Sequence, residues 1–354
     1  MNNMEFLINM LFQRNFGTKS INKVLKVSNT VEEFIENIQL LFAASDQVLV
    51  NNKAEVQGIL DRCQKTGVTL INYFEESYPQ LLREIPDSPL VLACKGSIGL
   101  LKSPCISVVG TRDCTHYGKQ VTKELCEFLS THSFTTVSGM AFGIDAEVHI
   151  NSMQTIAVLP TFPSKAIPAN NQRIYLDILN KNGLIISENI KDEEVAPYMY
   201  VSRNRIVAGL SKKTIIVEAG EKSGAVITAN YALDYDREVF SVPGTIFSGT
   251  STGCNNLISE NVARILTKFT DLLELANSSE KNDIVESRNR DADLESLTED
   301  EGRIYYALSD KAVGIDDLSK QTGILINVIG YTLINLELKG LVRKDILNNY
   351  ERVK

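Results

Sequence analysis

Short apolar runs alternate with longer amphipathic stretches from about residue 107 to residue 277. Short apolar runs are typical of strands buried on both faces, and amphipathic stretches between them are typical of helices that cover a parallel sheet. The pattern therefore predicts repeated strand–helix–strand units in this part of the chain. The predicted strands are residues 106–109, 135–137, 155–159, 184–187, 214–217, 238–242 and 264–266, and the predicted helices are residues 119–130, 144–152, 172–179, 204–210, 225–235 and 255–260.

The two ends of the chain have different patterns. Residues 1–60 place apolar side chains at helical spacing, and residues 278–296 are polar, charged and without sustained periodicity, which indicates a linker. Three helical stretches and a predicted β-hairpin follow, which is the order of a winged helix. Winged helices bind DNA or dock proteins, and Lys339 is the single basic residue of the predicted recognition helix, beside Glu337. The predicted domains are residues 1–60, 61–277 and 297–354, with the linker between the last two.

Charge is distributed unevenly along the 354 residues. The formal net charge is -8, and residues 271–301 alone hold eleven acidic and three basic residues, which accounts for the whole excess. The rest of the chain is balanced, so a site for an anion has to be a local cluster of basic groups.

Composition excludes several classes of protein. A hydrophobic content of 44% and a charged content of 23% indicate a globular chain. The six cysteines form no C-x-x-C pair, which predicts reduced thiols and no structural metal. No apolar run approaches the roughly 18–20 residues that span a bilayer, and residues 4–12 lack the features of a signal peptide. We therefore expect a cytoplasmic protein without a membrane partner.

Glycine and arginine follow the first predicted strand of the core, in the sequence SVVGTRD of residues 107–113. In a doubly wound sheet, ligands bind at the carboxyl ends of strands, where loop amides and helix N-termini favour anions. Arg112 is placed to bind a phosphate group there. The alternative is that Gly110 makes a tight turn and Arg112 is an ordinary surface residue.

A second strand end has two glycines four residues apart, in the sequence SGMAFGID of residues 138–145. Gly139 and Gly143 allow close backbone approach and amides that point at a bound anion. The loop is not G-x-G-x-x-G, and the chain has no G-x-x-x-x-G-K-[ST], so dinucleotide and nucleoside triphosphate cofactors are disfavoured. Asp145 and His149 lie one helical turn apart on one face, which suits an acid/base or metal-binding pair. The alternative is a helix cap and a hydrogen-bonded packing histidine.

Further basic and small residues follow along the chain. The sequence SRNRIVAGLS of residues 202–211 precedes a predicted strand that ends in EAGEKSG at residues 218–224, and VPG of residues 242–244 ends the next. Each segment alone is compatible with ordinary turn chemistry. Several strand ends with Gly, Ser and Arg at one edge of a sheet favour a shared anionic ligand.

Taken together and in order, these motifs closely resemble the bacterial DNA-processing protein A (DprA/Smf) family. The segments that carry the resemblance are VVGTR, YG, SGMAFGID with the following His149, RNRIVAGLS, VEAGEKSGAVITANYAL, VPG and GCNNLI, with further similarity from residue 67 to residue 96. The match covers roughly residues 60–272.

The resemblance implies a fold and a function. The implied fold is an extended Rossmann-like parallel sheet core with a helical, SAM-like N-terminal domain and a C-terminal winged helix. The implied function is not enzymatic: such a protein binds single-stranded DNA without a cofactor, forms a homodimer, and recruits RecA onto the strand during natural transformation and recombination. The family's principal DNA contact falls on Arg112. The DNA-binding residues expected in all are Thr111, Arg112, Ser138, Gly139, Phe142, Gly143, Lys165, Arg203, Asn204, Arg205, Ser223 and Gly224.

The sequence leaves three details open. Residues 150–165 are shorter than the family pattern, and Lys165 is expected to supply the basic contact there. Phe142 is either a stacking side chain or a buried packing residue. Leu257 and Ile258 are either dimer-interface residues or core residues.

Two other functions compete with DNA binding. Rossmann-like pockets with glycine loops also serve nucleotide-processing enzymes such as phosphoribohydrolases, although the P-G-G-x-G-T signature of those enzymes is absent. In an enzyme of that kind, Asp145 or Glu218 would be the catalytic carboxylate. The third possibility is an interaction scaffold that docks a protein through the winged helix and the acidic linker.

Overall fold

The computed structural model describes residues 2–13, 18–44, 48–191, 194–273, 297–308, 313–338, 341–344 and 349–352. The predicted linker, residues 278–296, lies outside the described residues. The chain forms two compact units, Met1–Phe269 and Thr270–Lys354. Among the described helices, none has the length and apolar character that crossing a membrane requires.

A nine-stranded sheet organises the first unit. Its strands are β1 (Thr69–Asn72), β2 (Val91–Gly96), β3 (Cys105–Val109), β4 (Thr135–Ser138), β5 (Thr155–Val158), β6 (Leu184–Ser187), β7 (Lys213–Ile216), β8 (Glu238–Ser241) and β9 (Arg264–Ile265). The spatial order is β1-β2-β6-β5-β4-β3-β7-β8-β9. Strands β3 to β9 pair in parallel, whereas β2 is antiparallel to both β1 and β6. The carboxyl ends of the seven parallel strands therefore lie along the same side of the sheet.

Helices precede the sheet and connect its strands. Those of the first unit are α1 (Asn3–Met10), α2 (Thr18–Val27), α3 (Val31–Ala44), α4 (Lys53–Thr66), α5 (Gln80–Glu84), α6 (His116–Thr131), α7 (Ile144–Asn151), α8 (Gln172–Asn180), α9 (Pro197–Gly209), α10 (Gly224–Asp234) and α11 (Thr252–Ser259). Short 3₁₀ segments lie at Ile98–Lys102, Ala169–Asn171 and Phe269–Leu272.

The N-terminal helices share a hydrophobic core with the antiparallel edge of the sheet. Phe34 of α3 packs its ring 5.7 Å, centroid to centroid, from that of Phe74. Lys26 of α2 donates a hydrogen bond of 2.6 Å to the carbonyl of Arg83. These contacts hold α1 to α4 against residues 69–96, so the helices and the sheet edge stabilise each other.

Every strand predicted from the hydrophobic pattern is present, within one or two residues. The predicted parallel sheet is confirmed for β3 to β9. Strands β1 and β2, in a segment to which the hydrophobic pattern assigns no strand, add an antiparallel edge to it. Helix α9 begins at Pro197, whereas the predicted helix began at Asn204. The missed turns contain Tyr198, Tyr200 and Val201, which have low intrinsic helix propensity, although proline at the first helical position is a start signal.

The second unit has the helix and hairpin order of a winged helix. It contains α12 (Glu299–Ala307), α13 (Ile315–Thr322), α14 (Ile326–Leu338) and the antiparallel strands β10 (Val342–Lys344) and β11 (Tyr350–Arg352). A backbone bridge joins Val313 to Tyr350 and extends the hairpin. Ile304, Leu318 and Leu333, one from each helix, are fully buried in the common core.

Replacing Gly96 by alanine is expected to destabilise the fold. Gly96 has a φ of +110°, and a Cβ there would lie 2.2 Å from the carbonyl oxygen of Gly183. Because the clash is with backbone, we expect the free energy of unfolding to fall by roughly 2–3 kcal/mol. Gly58, an exposed residue of α4, has no atom within 4 Å of a built Cβ, so Gly58→Ala should raise the free energy of unfolding by about 0.5–1 kcal/mol. Chemical denaturation of both variants measures these changes in the free energy of unfolding. Equal denaturation midpoints for the two variants would contradict the predicted clash at Gly96.

Candidate functional site

A cavity of about 760 Å³ opens at the carboxyl ends of β3, β4 and β7, between α9 and α10. Strand β3 is the point at which the sheet order reverses, since β4 lies on one side of it and β7 on the other. Ligands of open parallel sheets bind in the crevice outside such a switch point. Seven of the residues expected from the sequence line it: Thr111, Arg112, Gly139, Arg203, Asn204, Ser223 and Gly224.

Arg112 presents an exposed guanidinium at this cavity. Its guanidinium carbon lies 5.6 Å from the ring centroid of Tyr200, which also lines the cavity from α9. The pair combines a phosphate-binding cation with two planar groups on which a base can stack. Tyr200 was missed from the sequence, although it precedes Arg203 by one helical turn and therefore shares a face of α9 with it.

The loop that carries Arg112 is held at both ends by Glu218. The backbone N–H of Thr111 donates to the Glu218 carbonyl at 2.7 Å. The buried Glu218 carboxylate accepts from the Thr115 N–H at 2.8 Å and from the Thr115 hydroxyl at 2.7 Å, at the start of α6. Gly118 leaves room for this carboxylate, because a Cβ there would lie 2.0 Å from Glu218 Oε2.

Two buried charged residues, Arg203 and Asp145, hold the loop after β4 from behind. The Arg203 side chain, only 4% exposed, donates to the carbonyls of Gly139 and Val158. Asp145 Oδ2 accepts from the N–H groups of Gly139 at 3.2 Å and Ala141 at 3.3 Å. The expectation that amides of this loop are directed at an anion was therefore wrong for these two, which bind the Asp145 carboxylate instead.

Backbone conformation fixes the same loop on its outer side. Met140 has a φ of +57° and Gly143 a φ of +74°. A Cβ at Gly143 would lie 2.2 Å from the carbonyl oxygen of Thr111, so the two strand-end loops are in backbone contact. Asn171 donates to the Met140 carbonyl at 2.9 Å, so the Gly139–Gly143 segment and the Arg112 loop are braced as a unit.

Asp145 and His149 do not form a coupled acid/base pair. His149 shares a hydrogen bond of 2.8 Å with the Thr155 hydroxyl, and burial together with the charge of Arg203 lowers its pKa to about 3. Burial raises the pKa of the Asp145 carboxyl, and the charge of Arg203 opposes this. No hydrogen bond joins the two side chains in the part of the chain that the structure describes. Nor do three or more His, Cys, Asp or Glu residues gather as metal ligands among the described residues.

Arg205 points away from the cavity. Its Nε lies 3.0 Å from Asp87 Oδ2, and its Nη2 pairs with Glu188. The Tyr235 hydroxyl donates to Asp87 at 3.0 Å and closes the cluster. Arg205 thus ties α9 to the segment before β2, whereas its neighbour Asn204 lines the cavity and donates to the Gly224 carbonyl at 3.2 Å.

The remaining expected residues have varied positions. Ser223 accepts from the Ala225 N–H at 3.3 Å and caps α10, while Ser138 is buried and donates to the Val108 carbonyl at 2.8 Å. Phe142 is 43% exposed and is not buried as a packing residue. Lys165 lines a separate cavity of about 330 Å³.

Leu257 and Ile258, the two expected dimer-interface residues, differ in burial. Leu257 is only 4% exposed and belongs to the core of the first unit. Ile258, its neighbour on α11, is partly exposed.

Comparison with known proteins agrees with this architecture. The chain is 31% identical to the DNA processing protein DprA of Streptococcus pneumoniae, over 72% of this chain and 96% of that protein. The solved structure of the S. pneumoniae protein superposes with a TM-score of 0.58, at 28% identity, covering 78% of this chain and 93% of that one. DNA processing protein A of Helicobacter pylori, a protein with a single-stranded DNA binding mode, superposes with a TM-score of 0.54, at 31% identity, covering 58% of this chain and 93% of that one.

Two family models match consecutive parts of the sequence. The DprA winged helix domain matches residues 288–345, and DNA recombination-mediator protein A matches residues 69–277, which include the whole cavity. The chain therefore belongs to the DNA recombination-mediator protein A family.

Proposed function

We propose that this protein binds single-stranded DNA in the cavity at the carboxyl ends of β3, β4 and β7, and that it acts without catalysis. In the cytoplasm it protects incoming strands and loads RecA on them during natural transformation and recombination. The observation that carries the proposal is the exposed Arg112 guanidinium beside the Tyr200 ring at the mouth of this cavity.

The cavity combines the two features that proteins use to bind single strands. Such proteins contact phosphates with basic groups and stack bases on aromatic rings or guanidinium planes. Arg112 and Lys222 supply positive charge at the lining, and the N-terminus of α10 adds the partial positive charge of the helix dipole. Tyr200 supplies the aromatic surface. Asp145 also lines the cavity, and the positive charge of the buried Arg203 offsets the negative charge of its carboxylate.

Relatives support the choice of ligand. The H. pylori protein binds single-stranded DNA, and its similarity to this chain covers 93% of its length. Four of the motifs that carry the family resemblance, VVGTR, SGMAFGID, RNRIVAGLS and VEAGEKSGAVITANYAL, contribute residues to the lining of the cavity.

We further infer a homodimer in which the exposed face of α11 contributes. Because Leu257 is already buried within one chain, Ile258 is the better candidate for a contact between copies. The winged helix is better suited to docking a protein such as RecA than to binding DNA. Helix α14 has no basic residue, and Ile326, Tyr331 and Ile334 expose more than half of their surface.

The alternative of a nucleotide-processing enzyme needs a catalytic carboxylate that reaches a substrate. Glu218 is engaged by Thr115 and Asp145 by two backbone N–H groups, and both carboxylates are buried. Each therefore has a structural role in a strand-end loop. This use of the carboxylates favours the binding function over the enzymatic one.

Arg112→Ala tests the DNA site. Removing one phosphate-binding cation and its stacking plane should weaken binding to oligothymidylate about tenfold and reduce the slope of log affinity against log salt by about one. Fluorescence anisotropy at several salt concentrations measures both. Lys181→Ala is the matched control, because it removes the same charge from an exposed residue at the other end of the parallel strands. Lys181 lies in the turn before β6, at the amino ends of the strands. Equal affinity of the folded Arg112 variant and wild type would contradict the site.

The mediator role has its own test. Wild type should accelerate RecA-dependent ATP hydrolysis on single-stranded DNA that is already covered by a single-strand-binding protein, because RecA then gains access to the strand. Arg112→Ala should lose the acceleration in proportion to its loss of affinity. A wild type that binds single-stranded DNA but leaves the rate of RecA-dependent ATP hydrolysis unchanged would refute RecA loading.

The buried state of His149 predicts acid-sensitive stability. The pKa is about 3 in the folded chain and near 6.5 in the unfolded chain, so the unfolded state takes up the proton first as pH falls. Stability is therefore lost between about pH 6.5 and pH 3, by at most about 1.4 kcal/mol per pH unit from this residue. His149→Asn, which can keep the bond to Thr155, should show a shallower loss in denaturation measured from pH 7 to pH 4. Parallel curves of stability against pH for the variant and wild type would show that His149 does not cause the loss of stability in acid.

A further inference from the structure

The turn after β8 carries two highly exposed large apolar side chains, one of them the most exposed such side chain among the first unit's described residues. Ile246 is 81% exposed and Phe247 is 92% exposed. We propose that this turn, residues 245–248, is a base-stacking platform for the DNA strand where it leaves the cavity. The proposal rests on the proposed function and extends the binding path beyond the residues assigned above.

The turn is braced by its own hydrogen bonds. The Ser248 N–H donates to the Thr245 carbonyl at 3.1 Å, which places Ile246 and Phe247 at the two central positions of the turn. Asn255, from the GCNNLI segment, binds both sides of Gly244: its Oδ1 accepts from the Gly244 N–H at 3.2 Å, and its Nδ2 donates to the Gly244 carbonyl at 3.1 Å. A side chain held on an ordered turn loses less conformational freedom when it binds a partner.

The turn adjoins the wall of the cavity. A Cβ at Gly220, which lines the cavity, would lie 3.3 Å from the carbonyl oxygen of Gly249. Two residues of extended chain span at most about 7 Å, so the Cα atom of Phe247 lies within about 7 Å of that of Gly249. Thr250 also donates to the Glu218 carboxylate at 3.4 Å, which connects the segment to the residue that holds the Arg112 loop.

A second aromatic ring adjoins the base of the turn. The Tyr117 hydroxyl donates to the Pro243 carbonyl at 3.0 Å, and the side chain is 46% exposed. Tyr117 lies at the start of α6, directly after the Arg112 loop, so a second exposed ring lies beside the base of the turn. Repeated aromatic surfaces beside a phosphate-binding cavity are the arrangement that sequence-independent single-strand binding requires.

The chemistry of the segment favours a nucleic acid over a protein partner. Residues 242–254 contain no Asp or Glu that would repel phosphates, and hydroxyl-bearing Thr245, Ser248 and Thr250 surround the two apolar side chains. A stable protein interface buries about 800 Å² on each partner, of which two side chains make only a small part. Stacking of one base needs a single exposed ring.

The absence of tryptophan from the sequence gives a direct test. Phe247→Trp creates a chain with one tryptophan, whose emission reports stacking at that position. Titration with oligothymidylate should quench the emission in parallel with the rise in anisotropy of the labelled oligonucleotide. An abasic oligonucleotide at saturating concentration should leave the emission unchanged, because it offers phosphates but no base.

Met153→Trp is the matched control. Met153 is 72% exposed and lies just before β5, at the amino end of the strands. Its emission should be unchanged by either oligonucleotide. Quenching at both positions, or saturated DNA binding without quenching at position 247, would overturn the stacking platform and leave the cavity assignment standing. No binding by wild type would overturn the proposed function and this inference with it.

A second variant separates DNA stacking from self-association. Phe247→Ser should lower the affinity for an oligonucleotide that extends beyond the cavity about tenfold, the effect of losing one stacked base. Its sedimentation coefficient should equal that of wild type at matched concentrations. A change in oligomeric state with unaltered DNA affinity would instead make the turn an interface between copies of the chain and refute the proposal.

Discussion

The buried Arg203 guanidinium is the interaction on which the arrangement of the site depends. It lies behind the strand-end loops, donates to the carbonyls that end β4 and β5, and faces the Asp145 carboxylate. A buried cation without such partners would be strongly unfavourable, so the two loops and α9 have to form together. Glu218 has the corresponding role on the other side of β3, where it fixes the Arg112 loop.

This arrangement divides the arginines of the site into two kinds. Arg203 and Arg205 are almost fully buried and position α9, the first against the strand ends and the second against Asp87 and Glu188. Arg112 is exposed, and its loop is rigid because other residues have satisfied the backbone around it. A preorganised cation loses little entropy on binding phosphate, so under the proposed function the buried charges add to the affinity for DNA without touching it.

The sequence predicts the parallel strands well because each is a short apolar run bounded by glycine or polar residues, as in SVVGTRD. It predicts the end of the sheet at which the cavity opens, since the strand-end motifs lie there. It does not distinguish Arg203 and Arg205 from Arg112, because the direction of a side chain on a short helix depends on what packs against that helix. Tyr200 was overlooked for the same reason: its importance comes from its position beside Arg112, 88 residues earlier in the chain.

The proposed site accepts unpaired bases, so the most direct measurement compares an oligothymidylate with a duplex of equal length. Both carry phosphates, but only the single strand can present bases to Tyr200 and Arg112 without unstacking. At a salt concentration that screens nonspecific attraction, we expect clear binding of the single strand and much weaker binding of the duplex. Equal affinity for the two would show that the cavity contributes a positive patch alone, and would contradict a site for unpaired bases.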